Sequence, residues 1–212
     1  MRLFSYVVAR DYGFAPNPFG GVCSLATCKP DIRQAAAVGD WIAGLSSLAD
    51  RRPPGLVYMM RVDEILTYDT YWIDPRFHHK KPSGLGSVKQ MFGDNIYHRD
   101  GDGQWQQADS HHSLANGDPN SRNILNDTKS TGVLIGRRFA YWGSRAIAVP
   151  QDFEQIFVKR GYRNGFEPQF IADFVTWFES LGVQGFQAAP FKWQRPQAIW
   201  ARARPEGNVT PE

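Results

Sequence analysis

No stretch of this chain approaches the roughly 18 consecutive apolar residues that a membrane-spanning helix needs, so a helical membrane protein is not expected. The opening MRLFSYVVARDYG has an apolar run too short for a secretion signal, and the expectation is a cytoplasmic protein. Cysteine is scarce: Cys23 and Cys28 are the only two in 212 residues. Without a secretion signal a disulfide between them is not expected, and both thiols are read as reduced. Charge of one sign is scarce too. The 24 basic and 21 acidic residues leave a net charge of +3. That permits contact with phosphate but lacks the dense basic stripe of a nonspecific DNA binder. The basic pairs Arg51-Arg52, Lys80-Lys81, Arg137-Arg138 and Lys159-Arg160 are scattered, as solvated surface charge is.

Familiar chemical signatures are missing as well. There is no Walker A loop, no GxGxxG, no GxSxG elbow and no HxE with PCxxC zinc set. Their absence argues against P-loop hydrolysis, Rossmann redox chemistry and cytidine-type deamination. The five histidines are His78, His79, His98, His111 and His112, and they form no HxH or HxxxH spacing. Adjacent histidines usually point apart, so neither a metal site nor a cofactor is expected.

What the chain does have is aromatic side chains: 7 Trp, 8 Tyr and 14 Phe. Rings fill cores first, and they also wall sites that stack flat ligands. At 42% hydrophobic and 21% charged the composition is that of a globular protein. One domain over residues 1–205 with a disordered tail at 206–212 is the expected organisation.

Local patterns give a mixed α+β reading. Residues 3–8 and 22–27 read as strands, with the Gly- and Pro-rich loop DYGFAPNPFGG between them. Asp31 is a candidate N-cap for a helix over 32–37, and residues 41–45 read as a strand. Residues 48–54 form a polar loop. Residues 56–66 read as one long half-buried strand, because Leu56, Tyr58, Met60 and Val62 alternate with other residues. Residues 73–130 are long and polar, a stretch in which short strands near 95–98 and 105–108 are expected. Strands follow over 130–136 and 138–143, then a short helix over 151–159. The clearest element lies at 168–181: Phe170, Ile171, Phe174, Val175, Phe178 and Leu181 recur at helical spacing, Pro168 opens the helix and Gly182 closes it.

The segment AVGDWIAGLSS followed by PPGLVYMMRVDEILTYDTYW resembles the PUA-like barrels of the EVE and ASCH type, small mixed-sheet barrels that bind RNA or modified DNA bases. A resemblance over most of the chain is carried by YVVARDYGFAPNPF, LATCKPDIR, VGDWIAG, DPRFHHKKP, DNIYH, HHSLANGDPNSRNILNDTKS, FAYWG and GYRNGFE. Together they resemble the nucleotide modification associated domain 2 (Nmad2) family, which occurs with bacterial and phage DNA base-modification systems. The two resemblances imply a PUA-like mixed β-barrel with peripheral helices and a long polar insertion. They also imply a nucleic acid or nucleotide as partner and a setting in DNA modification.

The candidate site follows from residue type within that setting. The binding reading takes a modified base or nucleotide into an aromatic pocket made by Tyr12, Trp41, Ser46, Tyr58, Asn95, Tyr97, Asn126, Asp127 and Tyr141. Asn and Asp side chains pair with base edges and Tyr stacks on their planes. The alternative is an enzyme acting on a base or nucleotide, with Asp11, Asp94, His98 and His111 as acid–base candidates. Cys28 precedes a predicted helix, a position that can lower a thiol's pKa, although a buried inert thiol is the ordinary fate of a cysteine.

Overall fold

The structure is a computed structural model that describes residues 1–47 and 53–194. The tail at 206–212 and most of the 48–54 loop lie outside the described residues. Eleven strands form among them: β1 (Leu3–Val8), β2 (Cys23–Leu25), β3 (Trp41–Ser46), β4 (Leu56–Arg61), β5 (Glu64–Thr67), β6 (Tyr97–Arg99), β7 (Trp105–Gln107), β8 (Gly132–Gly136), β9 (Phe139–Tyr141), β10 (Tyr162–Arg163) and β11 (Gly185–Phe186). The α-helices are α1 (Pro30–Ala35), α2 (Tyr68–Ile73), α3 (Val88–Met91), α4 (Ser121–Asp127) and α5 (Pro168–Ser180). The large sheet has the order β10-β1-β3-β4-β9-β11, with β1/β3 and β9/β11 parallel and its other pairs antiparallel. A second sheet runs β2-β8-β5, and β6 pairs with β7 as a hairpin.

The side-chain alternation of a strand explains the layering. Leu3, Trp41, Ala43, Met59 and Ala140 point to one face of the large sheet, where Phe170, Ile171, Phe174, Val175 and Phe178 of α5 cover them. Phe4, Tyr6, Val8, Ile42, Tyr58, Met60 and Tyr141 point to the other face, against Cys23, Leu25 and Leu134 of the second sheet and Ile32 of α1. The far side of that sheet, through Val133 and Ile135, packs on Tyr68, Tyr71, Phe77, Phe92 and Tyr97. Because the large sheet is covered on both faces, residues 56–60 are all buried rather than half-buried in alternation.

The expected PUA-like barrel is not formed. None of the sheets closes: the large one ends at β10 and β11 and the second at β2 and β5. The chain turns a corner where a single strand over 56–66 was expected. It leaves the large sheet after Arg61 and enters the second sheet at Glu64, and β8 to β9 makes the reverse step beside it. Asp63 pins the corner, accepting the Arg137 N–H at 2.7 Å and the Arg138 N–H at 3.2 Å. The ribbon therefore folds one sheet over the face of the other instead of rolling it shut. Gly136 makes the crossing possible, since a Cβ there would lie 2.5 Å from the Arg61 carbonyl oxygen. Gly136→Ala is expected to lower stability by about 1–3 kcal/mol, because backbone must move to admit the methyl group. A urea titration with an unchanged slope and a lower midpoint checks this.

The polar insertion at 73–130 is structured throughout its core, holding a 3-10 turn (Pro75–Lys80), α3, the β6–β7 hairpin and α4. Its last helix delivers Asp127 to the centre of the candidate site.

Candidate active site

Strand β2 leads into α1 through a turn that L-residues rarely adopt. Cys28 (φ 57°) and Lys29 (φ 40°) are both left-handed and neither is glycine. Such a conformation costs of order 1–3 kcal/mol per residue and persists only where the surroundings impose it. Here they do, from both ends of the Cys28 peptide. The Cys28 N–H donates to Asp127 Oδ1 at 2.8 Å, and the Cys28 carbonyl accepts from Arg33 Nε at 2.8 Å. Arg33 is buried and donates further to the carbonyls of Ser130 (2.8 Å), Gly132 (2.9 Å) and Asp127 (2.5 Å), tying α1 to the end of α4 and the start of β8.

The strained turn points Cys28 Sγ at His112 Nε2, 3.6 Å away, and the far nitrogen of that ring, Nδ1, lies 2.8 Å from Asp127 Oδ2. Asp127 is buried and also accepts from Tyr97 Oη at 2.9 Å, with Gln107 Nε2 donating to the Tyr97 hydroxyl at 3.0 Å. The His112 backbone is held as well, its carbonyl accepting from Asn123 Nδ2 at 2.8 Å and Gln107 Nε2 at 3.3 Å. Burial disfavours the imidazolium, but the Asp127 carboxylate and the Cys28 sulfur outweigh it, and the His112 pKa is raised well above 6.5. For Asp127 burial acts upward, and the charge and hydrogen bond of His112 together with Arg33 outweigh it, so its pKa is lowered. Cys28, His112 and Asp127 thus form a cysteine–histidine–carboxylate line with every joint restrained.

The line opens into a cleft of about 600 Å³. Four cationic residues line it, Arg10, Lys29, Arg122 and Lys129, together with the ring of Phe14 and the His111 imidazole. No carboxylate other than Asp127 is among its lining residues, and Asp127 is turned inward to His112.

Of the residues singled out in the sequence, His111, Asn126 and Asp127 line this cleft, and Tyr97 stands directly behind Asp127. The others lie elsewhere. Asp11 accepts from the Tyr141 hydroxyl and from the Phe191 N–H at 2.9 Å, anchoring the segment after β11. Asp94 sits in a separate buried knot, accepting from Ser24 Oγ at 2.6 Å and Tyr71 Oη at 2.9 Å. Burial pushes its pKa up against the lowering effect of the buried Lys80. Asn95 donates to the carbonyls of Tyr71 and Phe77. His98 stacks on Trp72 with ring centroids 4.1 Å apart. Tyr12 stacks on Phe92, Trp41 packs on Phe178, and the Tyr58 hydroxyl meets that of Tyr6 at 2.9 Å. Ser46 Oγ accepts the Gly55 N–H at 2.9 Å.

Sequence alone gives Cys28 the ordinary fate of a buried inert thiol, and the structure instead places it at the cleft beside His112; His112 and Arg33 are the residues that reading by type does not bring forward. The local signal for Cys28 is its place just before a helix start, and for His112 its pairing with His111; nothing local marks Arg33. The two cysteines are chemically unlike. Cys23 is wholly buried and its thiol pKa is raised by that burial, whereas Cys28 is partly exposed at the cleft. Among the described residues no three His, Cys, Asp or Glu side chains are placed to hold a metal ion, and no helix is long and apolar enough to cross a membrane.

The fold and the cleft together define a layered α+β protein with a cation-lined cavity over a cysteine–histidine–aspartate line. A family model described as nucleotide modification associated domain 2 (Nmad2) matches residues 1–197, and the chain belongs to that family. Its description links the chain to nucleotide modification. No curated protein and no solved structure matches it.

Proposed function

We propose that the cleft binds a nucleotide, free or within a strand, with its phosphate among Arg10, Lys29, Arg122 and Lys129. The observation that carries this reading is the convergence of these four cations on one concave site of ligand size, in a chain whose family description concerns nucleotides. Phosphate contact supplies affinity in this reading. A second reading, an enzyme that acts on the base or nucleotide so bound, is favoured by one further observation: the Cys28–His112–Asp127 line meets the same cleft.

Calorimetric titration with deoxynucleoside monophosphates, short oligonucleotides and the matching nucleosides tests the binding reading. Nucleotides are expected to bind and nucleosides to bind far more weakly, with affinity falling as salt rises. Replacing the exposed Arg122 and Lys129 by glutamine should weaken nucleotide binding by about tenfold for each positive charge removed. Absence of binding by every nucleotide and oligonucleotide would sink the reading.

A further inference from the structure

We propose that Cys28 is a nucleophile that forms a thioester with an acyl group of a phosphate-bearing substrate, with His112 moving the proton and Asp127 holding the imidazole in place. The phosphate-bearing part of this inference rests on the binding reading above; the acyl chemistry rests on the geometry of the line itself.

The observations converge on attack at a carbonyl. Sγ and Nε2 are 3.6 Å apart, so the ring can take the thiol proton and return it at the same place. Nδ1 is occupied by Asp127 at 2.8 Å, which leaves Nε2 as the one ring nitrogen facing the reacting sulfur and fixes which nitrogen carries the shuttled proton. Disulfide exchange within the chain needs a second cysteine in reach, but the only other cysteine, Cys23, is buried in the core between the sheets. A cysteine that takes up a phosphoryl group needs backbone donors around its sulfur, and the Cys28 N–H is already given to Asp127. The strained turn at Cys28 and Lys29 is the one place among the described residues where non-glycine backbone enters the left-handed region, and it is this turn that aims Sγ at the ring.

The step balances with water as the only co-reactant. The Cys28 thiolate attacks the acyl carbon; a C–S bond forms and the carbonyl electron pair moves onto oxygen, facing the cations of the cleft. As the carbonyl re-forms, the bond to the amine or alcohol breaks, and the leaving nitrogen or oxygen takes the proton from His112 Nε2. Water then adds to the thioester and gives its proton to Nε2, the C–S bond breaks, and the carboxylic acid departs with the thiolate restored. Nothing is oxidised or reduced. Asp127 is a positioning residue, since it reaches the reacting atoms only through His112.

The test uses four probes on the full chain: iodoacetamide, p-nitrophenyl acetate, an N-acetylated cytidine monophosphate and the matching N-acetylated cytidine. Iodoacetamide is expected to alkylate Cys28 and spare Cys23, at a rate about tenfold or more above that of free glutathione at pH 6. The rate should be flat across neutral pH rather than rising towards pH 8.5 as for an ordinary thiol. The charged and titratable groups facing His112 are Asp127 and Cys28, with His111 beside the ring and Tyr97 and Arg33 acting through Asp127. p-Nitrophenyl acetate should release a burst of about one equivalent and leave an acetyl group on the Cys28 peptide. Cys28→Ser should lose both the burst and the adduct while melting like the wild type. Asp127→Glu, which keeps the carboxylate, should retain more of the flat pH profile than Asp127→Asn. An alkylation rate in the wild type that follows a free thiol overturns the proposal without requiring any variant to fold; so does an acetyl group found on lysines with the burst intact in a Cys28→Ser protein that melts like the wild type. Deacetylation of the cytidine monophosphate, in preference to the acetylated nucleoside, supports the substrate class; equal turnover of the two overturns the phosphate-bearing part. If nucleotides fail to bind while Cys28 is acetylated, the binding reading falls and the thioester chemistry stands. If nucleotides bind and Cys28 is inert, the reverse holds.

Discussion

Arg33→Met lowers the unfolding free energy by about 3–5 kcal/mol and abolishes the selective alkylation of Cys28. Arg33 is 2% exposed. It serves four carbonyls from three parts of the chain: Cys28 before α1, Asp127 at the end of α4, and Ser130 and Gly132 leading into β8. Methionine fills similar space with no donor, so those oxygens stay buried without a charged partner, each at about 1–3 kcal/mol before relaxation. The Cys28 carbonyl then no longer holds its peptide in the left-handed turn, and Sγ drifts from His112. Arg33→Lys should fall between the two, because an ammonium carries three donors on a flexible stem and cannot span four acceptors in a fixed fork. Urea unfolding reads the stability and peptide mapping after alkylation reads the turn. A methionine variant within about 1 kcal/mol of the wild type would show that the turn is held by something other than this guanidinium.

The parts of the fold legible in the sequence are those whose burial is one-sided. Helix α5 presents Phe170, Phe174 and Phe178 to the sheet and polar residues to solvent, so its period shows at once. Proline at its start and Gly182 at φ 61° just beyond its end mark its limits. The reverse case is the stretch from Leu56 onward. Its alternating apolar positions suggest one exposed face, yet Val57 and Met59 are as buried as Tyr58, because α5 covers one side and the second sheet the other. The corner at Asp63 has no local sign, since one carboxylate holding two backbone N–H groups looks like any surface aspartate. A barrel and a folded-over pair of sheets can share the same succession of strands. What separates them is the choice of partner, and that is set by contacts distant in the chain.

The candidate site divides the same way. Asp127, Tyr97, Asn126 and His111 stand out by residue type within polar stretches, and they do gather at or behind the cleft. Cys28 and His112 are 84 residues apart, and no spacing rule joins them. The aromatic residues misdirect, because most of the rings on the strands are used in the three cores: Trp41 under α5, Tyr58 and Tyr141 between the sheets, Tyr12 against Phe92. The one local signal for Cys28 is its place just before a helix start, and by itself it does not outweigh the ordinary fate of a cysteine as a buried inert thiol.

Asp127→Asn is expected to lower stability by about 3–5 kcal/mol, most of all between about pH 4 and 6.5, and to remove the flat pH profile of Cys28 alkylation. The folded-state pKa of His112 is raised above 6.5, so its contribution is complete below 6.5 and is lost as pH rises through that higher value. The folded-state pKa of Asp127 is lowered below 3.8, so its contribution is complete above 3.8 and is lost as pH falls through the lower value. Both are present in full only between these two limits, and there the gap between wild type and variant is widest. Asparagine keeps an oxygen for the Cys28 N–H, so the turn survives, but its amide N–H₂ then faces two groups that had been donors, Tyr97 Oη and His112 Nδ1. Nδ1 must accept, which places the proton of a neutral ring on Nε2, opposite the sulfur, and the ring can no longer take a proton from Cys28 as a neutral base. Urea midpoints at pH 5.5, 7.5 and 9 should therefore converge for the two proteins as pH rises. The alkylation rate of the variant should climb with pH like that of an ordinary thiol. Parallel midpoints at all three pH values would mean that His112 and Asp127 do not form a charged pair.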